Sequence, residues 1–375
     1  MRQQRGVALI AVMMVVALVV VIAVGMSGRL QLQLQRQMNL QDRQQALWLA
    51  LGAEEFTRRL LKRSAVGKDN VNLSQNWAQQ GTTFPVDQGS ITGSITDLQA
   101  CFNLNALQKP QQEAGGSSGR GDTNPSTTEP TASRAENSAD SSTESATESS
   151  TERTTATPET IDPRTGQAML PAQLAFQRLL EQSVPELSLP AEYVVFRLTD
   201  WLDEDNLLQN AGGAEENDYA GLEFPYYTAN SLLVSKSELR TLLDVTAADY
   251  AMLAPLVCVI PQQGILQLNV NTVTEQQAPV IAALIPNLPI EAALALISSR
   301  PEQGFSDINE FWASSQLSGL TIPDDVKTMF DVRSRYFQAE LMVQFADSRF
   351  QLTSVFHVDD NQVIRVVARR FGGPG

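Results

Sequence analysis

Apolar and polar positions are distributed most unevenly at the start of the chain. Apolar residues run without a charge from Val7 to Met26, and the next charged residue is Arg29. About 20 residues in an α-helix span about 30 Å, which is the thickness of the hydrocarbon core of a bilayer. The pattern therefore predicts a membrane-spanning helix over residues 7–26.

The same helix is predicted to continue beyond the membrane. Residues 27–63 contain no proline, Lys62 and Arg63 suit a helix C-terminus, and Gly67 suits the stop that follows. Apolar side chains recur at helical spacing at Leu30, Leu34, Met38, Leu47, Leu51, Phe56 and Leu60. We expect one continuous helix from residue 7 to about residue 63, on which Glu54 and Glu55 make contacts with other helices.

The chain then changes character twice. Residues 90–107 alternate loosely between apolar and polar side chains, as in strands. Residues 111–160 contain no Val, Ile, Leu, Met or aromatic residue. Such a segment cannot bury enough apolar surface to offset the entropy of ordering, so we expect it to be disordered.

Regular periodicity returns after residue 167. Helical spacing predicts segments at 172–182, 190–201, 237–243, 246–253, 276–285, 290–299 and 306–313. Beyond residue 331 the period changes to two. This pattern predicts three antiparallel strands, at 336–345, 350–358 and 362–371, which are joined by tight turns.

These elements predict an α+β fold, in which a long N-terminal transmembrane helix packs on a small antiparallel sheet and a large, mainly helical domain is inserted. The predicted parts are a leader peptide (1–6), the transmembrane half of the helix (7–26), its other half with the first strands (27–107), a disordered insert rich in Ser, Thr and Glu (108–163), the helical domain (164–331) and the last strands (332–375).

The N-terminus also predicts processing and orientation. A secretory signal peptide is cleaved after its apolar region, but the small residue here, Gly6, lies before it. Cleavage between Gly6 and Val7 would leave the apolar helix as the mature N-terminus, as in type IV pilins and pseudopilins. Arg2 and Arg5 should stay in the cytoplasm, with the rest exported. An uncleaved single-span anchor is the alternative.

Composition agrees with export. The chain has 375 residues, a formal charge of −15 and a pI near 4.6, which disfavours nucleic acid as a partner because phosphate binding needs clustered cations. The two cysteines, Cys101 and Cys258, match neither a redox motif nor a zinc site. They either form one disulfide in an oxidising compartment or remain two buried thiols.

One acidic stretch is a candidate metal site. It brings together six carboxylates, with Gly212 and Gly213 allowing the loop to fold back: Asp200, Asp203, Asp205, Glu215, Glu216 and Asp218. Dense carboxylate oxygens suit Ca²⁺, although the spacing does not match an EF-hand. From these residues alone, a structural calcium site and a solvated acidic loop remain equally open.

Several motifs together resemble the minor pseudopilin K family of type II secretion. They are residues 5–10 (Arg-Gly-Val-Ala-Leu-Ile), 45–54, 200–203 (Asp-Trp-Leu-Asp) with 213–215 (Gly-Ala-Glu), and 268–272 (Leu-Asn-Val-Asn-Thr). The resemblance covers the chain except for the 111–160 insert. It implies a pilin-like fold whose helical domain has helix-hairpin-helix or SAM-like lobes.

The resemblance also implies a function and partners. Such a protein is a single-pass inner-membrane protein with its C-terminal domain in the periplasm. It lies at the tip of a pseudopilus with the minor pseudopilins I and J, helps start pseudopilus assembly, and helps export folded proteins through the outer-membrane secretin, so secretin and secreted substrates are further expected contacts.

The family likeness extends to processing and metal binding. A prepilin peptidase would cut after Gly6 and methylate Val7. The family's helical domain binds calcium in the acidic region, which favours Ca²⁺ here, with Asp203, Asp205, Glu215 and Asp218 as the best ligand candidates and Asp200 and Glu216 after them.

Ala11 departs from the general pilin pattern. Most pilins and pseudopilins have Glu at this fifth mature position, where it neutralises the N-terminal amine of the preceding subunit, since an unpaired charge in hydrocarbon is costly. A tip subunit has no predecessor. Ala11 therefore marks a leading subunit, although a transmembrane helix outside any filament would also favour Ala.

Other functions are less consistent with the residues. The segment after residue 272 resembles a helix-hairpin-helix module, but residues 286–289 (Pro-Asn-Leu-Pro) lack the glycines and donors that bind DNA phosphate. The single histidine, His357, leaves no standard catalytic triad, and no phosphate loop occurs, so no enzyme is expected. The remaining alternatives are a minor pilin of a type IV pilus or DNA-uptake filament, and a membrane-anchored periplasmic calcium-binding protein.

Overall fold

The structure, a computed structural model, describes residues 5–108, 160–161 and 168–372. Its helices are α1 (Arg5–Ser64), α2 (Pro171–Ser183), α3 (Ala191–Leu202), α4 (Glu216–Ala220), α5 (Ala247–Leu253), α6 (Ala278–Leu284), α7 (Ile290–Ser298), α8 (Ile308–Trp312) and α9 (Asp324–Lys327). Its strands are β1 (Thr82–Val86), β2 (Gly89–Asp97), β3 (Phe102–Asn103), β4 (Thr160–Ile161), β5 (Ala168–Met169), β6 (Val257–Cys258), β7 (Leu268–Asn269), β8 (Phe330–Asp331), β9 (Tyr336–Phe345), β10 (Ser348–Val358) and β11 (Ile364–Phe371). Most of the predicted leader and of the predicted disordered insert lies outside the described residues.

Helix α1 is one uninterrupted helix of 60 residues, close to the predicted span. Its apolar segment has a window with a mean hydropathy of 3.2, and none of that window is buried by the protein. The apolar side chains between Leu9 and Met26 are exposed. By length and composition, this part of α1 is consistent with a single-pass membrane anchor.

Five strands form one antiparallel sheet in the order β1-β2-β9-β10-β11. The three C-terminal strands lie where the sequence predicts them. Strand β1 was not predicted, since it is short and contains Pro85, which a sheet tolerates on an edge strand. Strands β2 and β9 are neighbours despite their distance in sequence, with Asp97 paired to Phe337.

The predicted strand region 90–107 is only partly extended. Strand β2 ends at Asp97, whose carboxylate accepts a hydrogen bond of 2.8 Å from the backbone N–H of Gln99 and so turns the chain. The residues Leu104–Leu107 form a 3₁₀ helix, and the side chain of Asn103 accepts a bond from its second residue. Side-chain to backbone bonds of this kind compete with strand pairing.

The C-terminal third of α1 packs on one face of the sheet. Ala46 and Ala50 are fully buried there, and their small side chains let the helix backbone approach the strands. Trp77 closes this core with its ring edge-on to Phe337, at 5.2 Å between centroids. We call this unit the sheet lobe.

Glu54 lies inside the interface between α1 and the sheet, so its predicted role as an interhelix contact is wrong. Its carboxylate accepts two hydrogen bonds from the Arg369 guanidinium, at 2.7 and 2.8 Å, and one of 2.6 Å from the Ser354 hydroxyl. Glu55, in contrast, faces outward and pairs with Arg58 and Arg59 on α1 itself.

The described residues between β2 and β9 form a second unit, which we call the helical lobe. Its core is continuous through α2, α3, α6 and α7, with Phe102 packed on Phe176 at 5.1 Å. Differences from prediction are local. Residues Lys236–Thr241 form a 3₁₀ helix started by Ser235 and Glu238, and the short helices α4 and α9 were not predicted.

A buried polar cluster joins the two lobes. Asp97, 2% exposed, accepts hydrogen bonds from the hydroxyls of Thr272 and Ser334 and from the side-chain amide of Asn269. Asn269 also donates to the backbone carbonyl of Val71 at 3.0 Å. The Leu-Asn-Val-Asn-Thr motif therefore attaches the helical lobe to the sheet lobe.

Candidate functional site

Three acidic side chains converge at the C-terminal end of α3. Asp200 lies in its last turn, Asp203 follows the helix as its C-cap, and Glu215 is the residue before α4. One carboxylate oxygen from each lies within 4.8 Å of the others. All three side chains are buried, with exposures of 0, 8 and 2%. We call them the acidic cluster.

The loop between α3 and α4 folds back because of two glycines. Gly212 has φ = +100°, a conformation that L side chains rarely adopt. A Cβ on Gly213 would lie 1.9 Å from a carboxylate oxygen of Asp200. The close approach lets the backbone N–H of Ala214 donate to Asp200 at 3.1 Å, which brings Glu215 to the cluster.

The electrostatics of the cluster are unfavourable for three free carboxylates. Burial, together with the charges of Asp203 and Asp205, raises the pKa of Asp200 to about 7. Burial, together with the charges of Asp200, Asp203 and Asp205, raises the pKa of Glu215 to about 7. A bound cation would remove both the repulsion and the loss of solvation.

The hydrogen bonding of Glu215 points the same way. Both of its carboxylate oxygens are buried and, within the described residues, neither has a hydrogen-bond partner at acceptable geometry. Buried polar atoms of this kind are rare in folded proteins unless a water or an ion satisfies them. The carboxylate oxygens of the acidic cluster are the hard donors that Ca²⁺ prefers, so the residues present fit this ion.

The other predicted ligands lie outside the cluster. Asp205 is exposed and accepts a bond of 2.8 Å from the backbone N–H of Leu207. Asp218 accepts the backbone N–H of Glu215 at 2.9 Å, as the N3 residue of α4. The carboxylate of Glu216 accepts a hydrogen bond of 3.4 Å from the side-chain amide of Asn206. The cluster therefore contains two of the four best-ranked candidates, Asp203 and Glu215.

The structure places Asp200 in the cluster, although the sequence ranked it after four other acids, and it adds Gln209, which was not among the predicted residues. Asp200 and Asp203 are three residues apart at the C-terminal end of α3, a proximity that the sequence did contain. The side-chain amide of Gln209 donates to Asp203, and its backbone N–H lies 3.5 Å from Asp200. An amide in a loop gives no comparable signal.

The remaining predicted positions lie away from the cluster. Gly6, Val7 and Ala11 lie in α1, and Ala11 is exposed there. A disulfide joins Cys101 to Cys258, with 5.8 Å between their Cα atoms, beside the parallel pairing of β3 with β6. His357 lies in β10, where its ring stacks on Tyr336 at 4.5 Å.

Comparison with known proteins identifies the family. Models of type II secretion system protein K match residues 100–262 and 268–333. The type II secretion system protein K of Aeromonas hydrophila is 35% identical over 99% of this chain and 98% of its own length. This chain belongs to the type II secretion system protein K family. The protein K of Pectobacterium carotovorum subsp. carotovorum is 33% identical, over 99% of this chain and 97% of its own.

Protein K is a structural minor pseudopilin and not an enzyme, as the sequence predicted. The α+β fold is confirmed by a chain of the crystal structure of the GspK-GspI-GspJ complex from enterotoxigenic Escherichia coli. The two chains share 26% identity and superpose with a TM-score of 0.67, over 90% of this chain and 99% of that one.

Proposed function

We propose that this protein K lies at the tip of a type II secretion pseudopilus with the minor pseudopilins I and J. There it helps start filament assembly and the export of folded periplasmic proteins through the outer-membrane secretin. The observation that carries the proposal is the match to a chain of a solved complex that contains GspK, GspI and GspJ, which extends over nearly all of that chain.

The surface of α1 supports assembly with similar helices. Leu30, Leu34 and Met38 follow the membrane segment on α1, and each is more than half exposed, at 61, 57 and 62%. Farther along the helix, Trp48 and Phe56 are also exposed, at 68 and 53%. A soluble monomer rarely leaves so long an apolar stripe uncovered, and the long helices of partner pseudopilins would cover it.

The N-terminal residues support a leading position and an exported domain. Ala11 offers no carboxylate to neutralise the N-terminal amine of a preceding subunit, which suits a subunit that has none. Arg2 and Arg5 would hold the leader in the cytoplasm, so the C-terminal domain would lie in the periplasm. A prepilin peptidase would then cut after Gly6 and methylate Val7.

A clean deletion tests this function. We expect secreted enzymes to accumulate in the periplasm, while twitching motility and DNA uptake in the same strain stay normal. Complementation should restore secretion, and the intact mass of the complementing protein should correspond to a chain that begins at methylated Val7. Loss of motility or uptake with normal secretion would instead assign the chain to a pilus, and no change in any of the three would contradict a role in a filament.

The acidic cluster completes the proposal as a structural calcium site. Asp200, Asp203 and Glu215 would hold Ca²⁺, with the unpaired oxygens of Glu215 turned to the ion. Bound Ca²⁺ would offset the repulsion among the carboxylates and fix the loop between α3 and α4. The site lies within the helical lobe, so its role would be to stabilise that lobe.

The matched pair Glu215→Gln and Glu216→Gln tests the calcium site. Calcium at 100 times its Kd should stabilise the wild-type protein by about 2.7 kcal/mol. We expect Glu216→Gln, which changes an adjacent acid outside the cluster, to keep this gain, and Glu215→Gln to lose most of it. Thermal unfolding of the full chain in detergent, with Ca²⁺ or with a chelator, measures the effect. Equal gains in the two variants would contradict the assignment.

A further inference from the structure

A cleft lies between the helical lobe and the face of the sheet that α1 does not cover. It shares no lining residue with the acidic cluster, and its volume is about 540 Å³, within the range of small-ligand sites. Thr353 of β10 and Arg370 of β11 line it from the sheet, Lys236 lines it from the helical lobe, and the Cys101–Cys258 disulfide forms part of its wall. We call it the interlobe cleft.

Two buried donors in the interlobe cleft have no acceptor. Thr353 is 4% exposed, and its hydroxyl has no hydrogen-bond partner within the described residues. The Nε of Arg370 is also buried and unpartnered there. These two residues are directly opposite each other in the register of β10 and β11, so their side chains are neighbours on one face. Two donors without a partner among the described residues therefore lie on neighbouring side chains in the lining of the cleft.

The Arg370 guanidinium is held in place across the cleft. Its Nη1 donates to the hydroxyl of Ser235, on the helical lobe, at 3.1 Å. Lys236 lies next to Ser235, and its ammonium donates to the backbone carbonyl of Ala254 at 3.1 Å, which leaves further N–H groups for a ligand. The donors on the two lobes thus face one cavity.

The charges around the cleft favour an anion. Arg369 also lines it, but its guanidinium is paired with Glu54 on the other side of the sheet. Of the remaining charged groups in the lining, Lys236 and Arg370 are cationic and Glu340 is anionic. Glu340 is exposed and accepts a bond from Gln338 at 3.0 Å. The cleft is therefore locally positive in a protein with a formal charge of −15.

The rest of the lining is apolar. Val257 and Val355 are buried in its wall, and Ala368 lies beside them. A site that combines a fixed guanidinium, a neighbouring hydroxyl donor and an apolar wall suits a carboxylate carried on an apolar group. We propose that the interlobe cleft binds the C-terminal carboxylate of a peptide with an apolar last side chain, with Thr353 and Arg370 donating to its oxygens.

Ligand-observed NMR on the full chain in detergent tests the proposal with three probes. They are N-acetyl-valyl-valine, its C-terminal amide, and acetate. We expect the acid to bind at millimolar concentration. The amide, which lacks the charged oxygens, should not displace it. Acetate should bind more weakly than the dipeptide acid, since it leaves the apolar wall uncovered. Binding of the amide as strong as that of the acid, equal binding of acetate, or no binding of the acid would each overturn the proposal.

Two variants and a control locate the site on the protein. Thr353→Val keeps the side-chain shape and removes the hydroxyl, and Arg370→Gln removes the guanidinium charge. Each should weaken binding of the acid by about tenfold. The control, Arg365→Gln, changes an exposed arginine of the same strand that pairs with Asp359 and should bind like the wild type. If a variant does not fold, the comparison of the acid with the amide on the wild-type protein still tests whether the protein binds the carboxylate. Equal binding in all four proteins would overturn the assignment to this cleft.

Discussion

The ion pair between α1 and the sheet makes the sharpest prediction about stability. Glu54 is 9% exposed as a side chain, whereas Arg369 is 45% exposed. Removing one partner leaves the other without its counter-charge, and the free-energy cost depends on how well water can reach the group that remains. The two single substitutions should therefore differ, although they break the same pair.

Arg369→Gln should be the more damaging change. It leaves a buried carboxylate whose remaining side-chain donor is the Ser354 hydroxyl, and loss of a buried pair's partner typically costs about 3–5 kcal/mol. Glu54→Gln leaves an arginine that water can already solvate, so we expect a smaller loss of about 1–3 kcal/mol. Glu55→Gln is the matched control on the next residue. Its partners are exposed side chains of the same helix, so no measurable change is expected.

The pH dependence gives an independent check. Burial opposes ionisation of Glu54, but the hydrogen bonds from Arg369 and Ser354 and the charge of Arg369 outweigh it, so the pKa of Glu54 is lowered. A lowered folded-state pKa stabilises the protein above the unfolded-state value of about 4.3. This stabilisation is lost as the pH falls through the folded-state pKa. In Arg369→Gln that contribution should disappear.

Thermal unfolding of the full chain in detergent, followed by tryptophan fluorescence, measures these effects. Trp77 lies in the core that the ion pair supports and is one of the four tryptophans that contribute to the signal. Equal midpoints for Arg369→Gln and Glu55→Gln, or a greater loss in Glu54→Gln than in Arg369→Gln, would refute the argument from burial.

Two further predictions concern the loop and the disulfide. Gly213→Ala should abolish calcium-dependent stabilisation, because its Cβ would lie 1.9 Å from an Asp200 oxygen. In the control Gly221→Ala the atom nearest to the new Cβ lies at 3.5 Å, so the stabilisation by Ca²⁺ should persist. Thermal unfolding with and without Ca²⁺ compares the two variants, and equal shifts in their midpoints would contradict the role of Gly213. Cys258→Ser should lower stability by up to about 5 kcal/mol, since the bridge closes a long loop, and thiol titration after unfolding without reductant should find one reactive group in the variant and none in the wild type. Two reactive groups in the wild type would show that the bridge does not form.

The sequence predicted best where one local pattern decides the structure. Helix α1 follows from its composition and spacing alone, and strands β9 to β11 follow from a period of two. It predicted less where distant residues meet. The partner of Glu54 is separated from it by most of the chain, so no local pattern could distinguish a contact with the sheet from a contact between helices.

The acidic cluster shows the same limit. Its composition was evident, but the choice among six carboxylates depends on which of them the loop brings together. Asp218 also carries a carboxylate, but it lies three residues after Glu215 and accepts the backbone N–H of Glu215 at the start of α4. Asp200 belongs to the cluster because Gly213 lets the backbone pass against it.

The adjacency of β2 and β9 has a consequence for how the chain folds. Asp97 and Phe337 are paired as if they flanked a tight hairpin, yet about 240 residues separate them, a loop whose closure carries an entropic cost that rises with length. The β1-β2 hairpin and the meander from β9 to β11 can each form locally, but the ladder between them needs the intervening chain to collapse. The helical lobe thus connects the two parts of the sheet, so we expect the ladder between β2 and β9 to be among the last parts of the sheet to form.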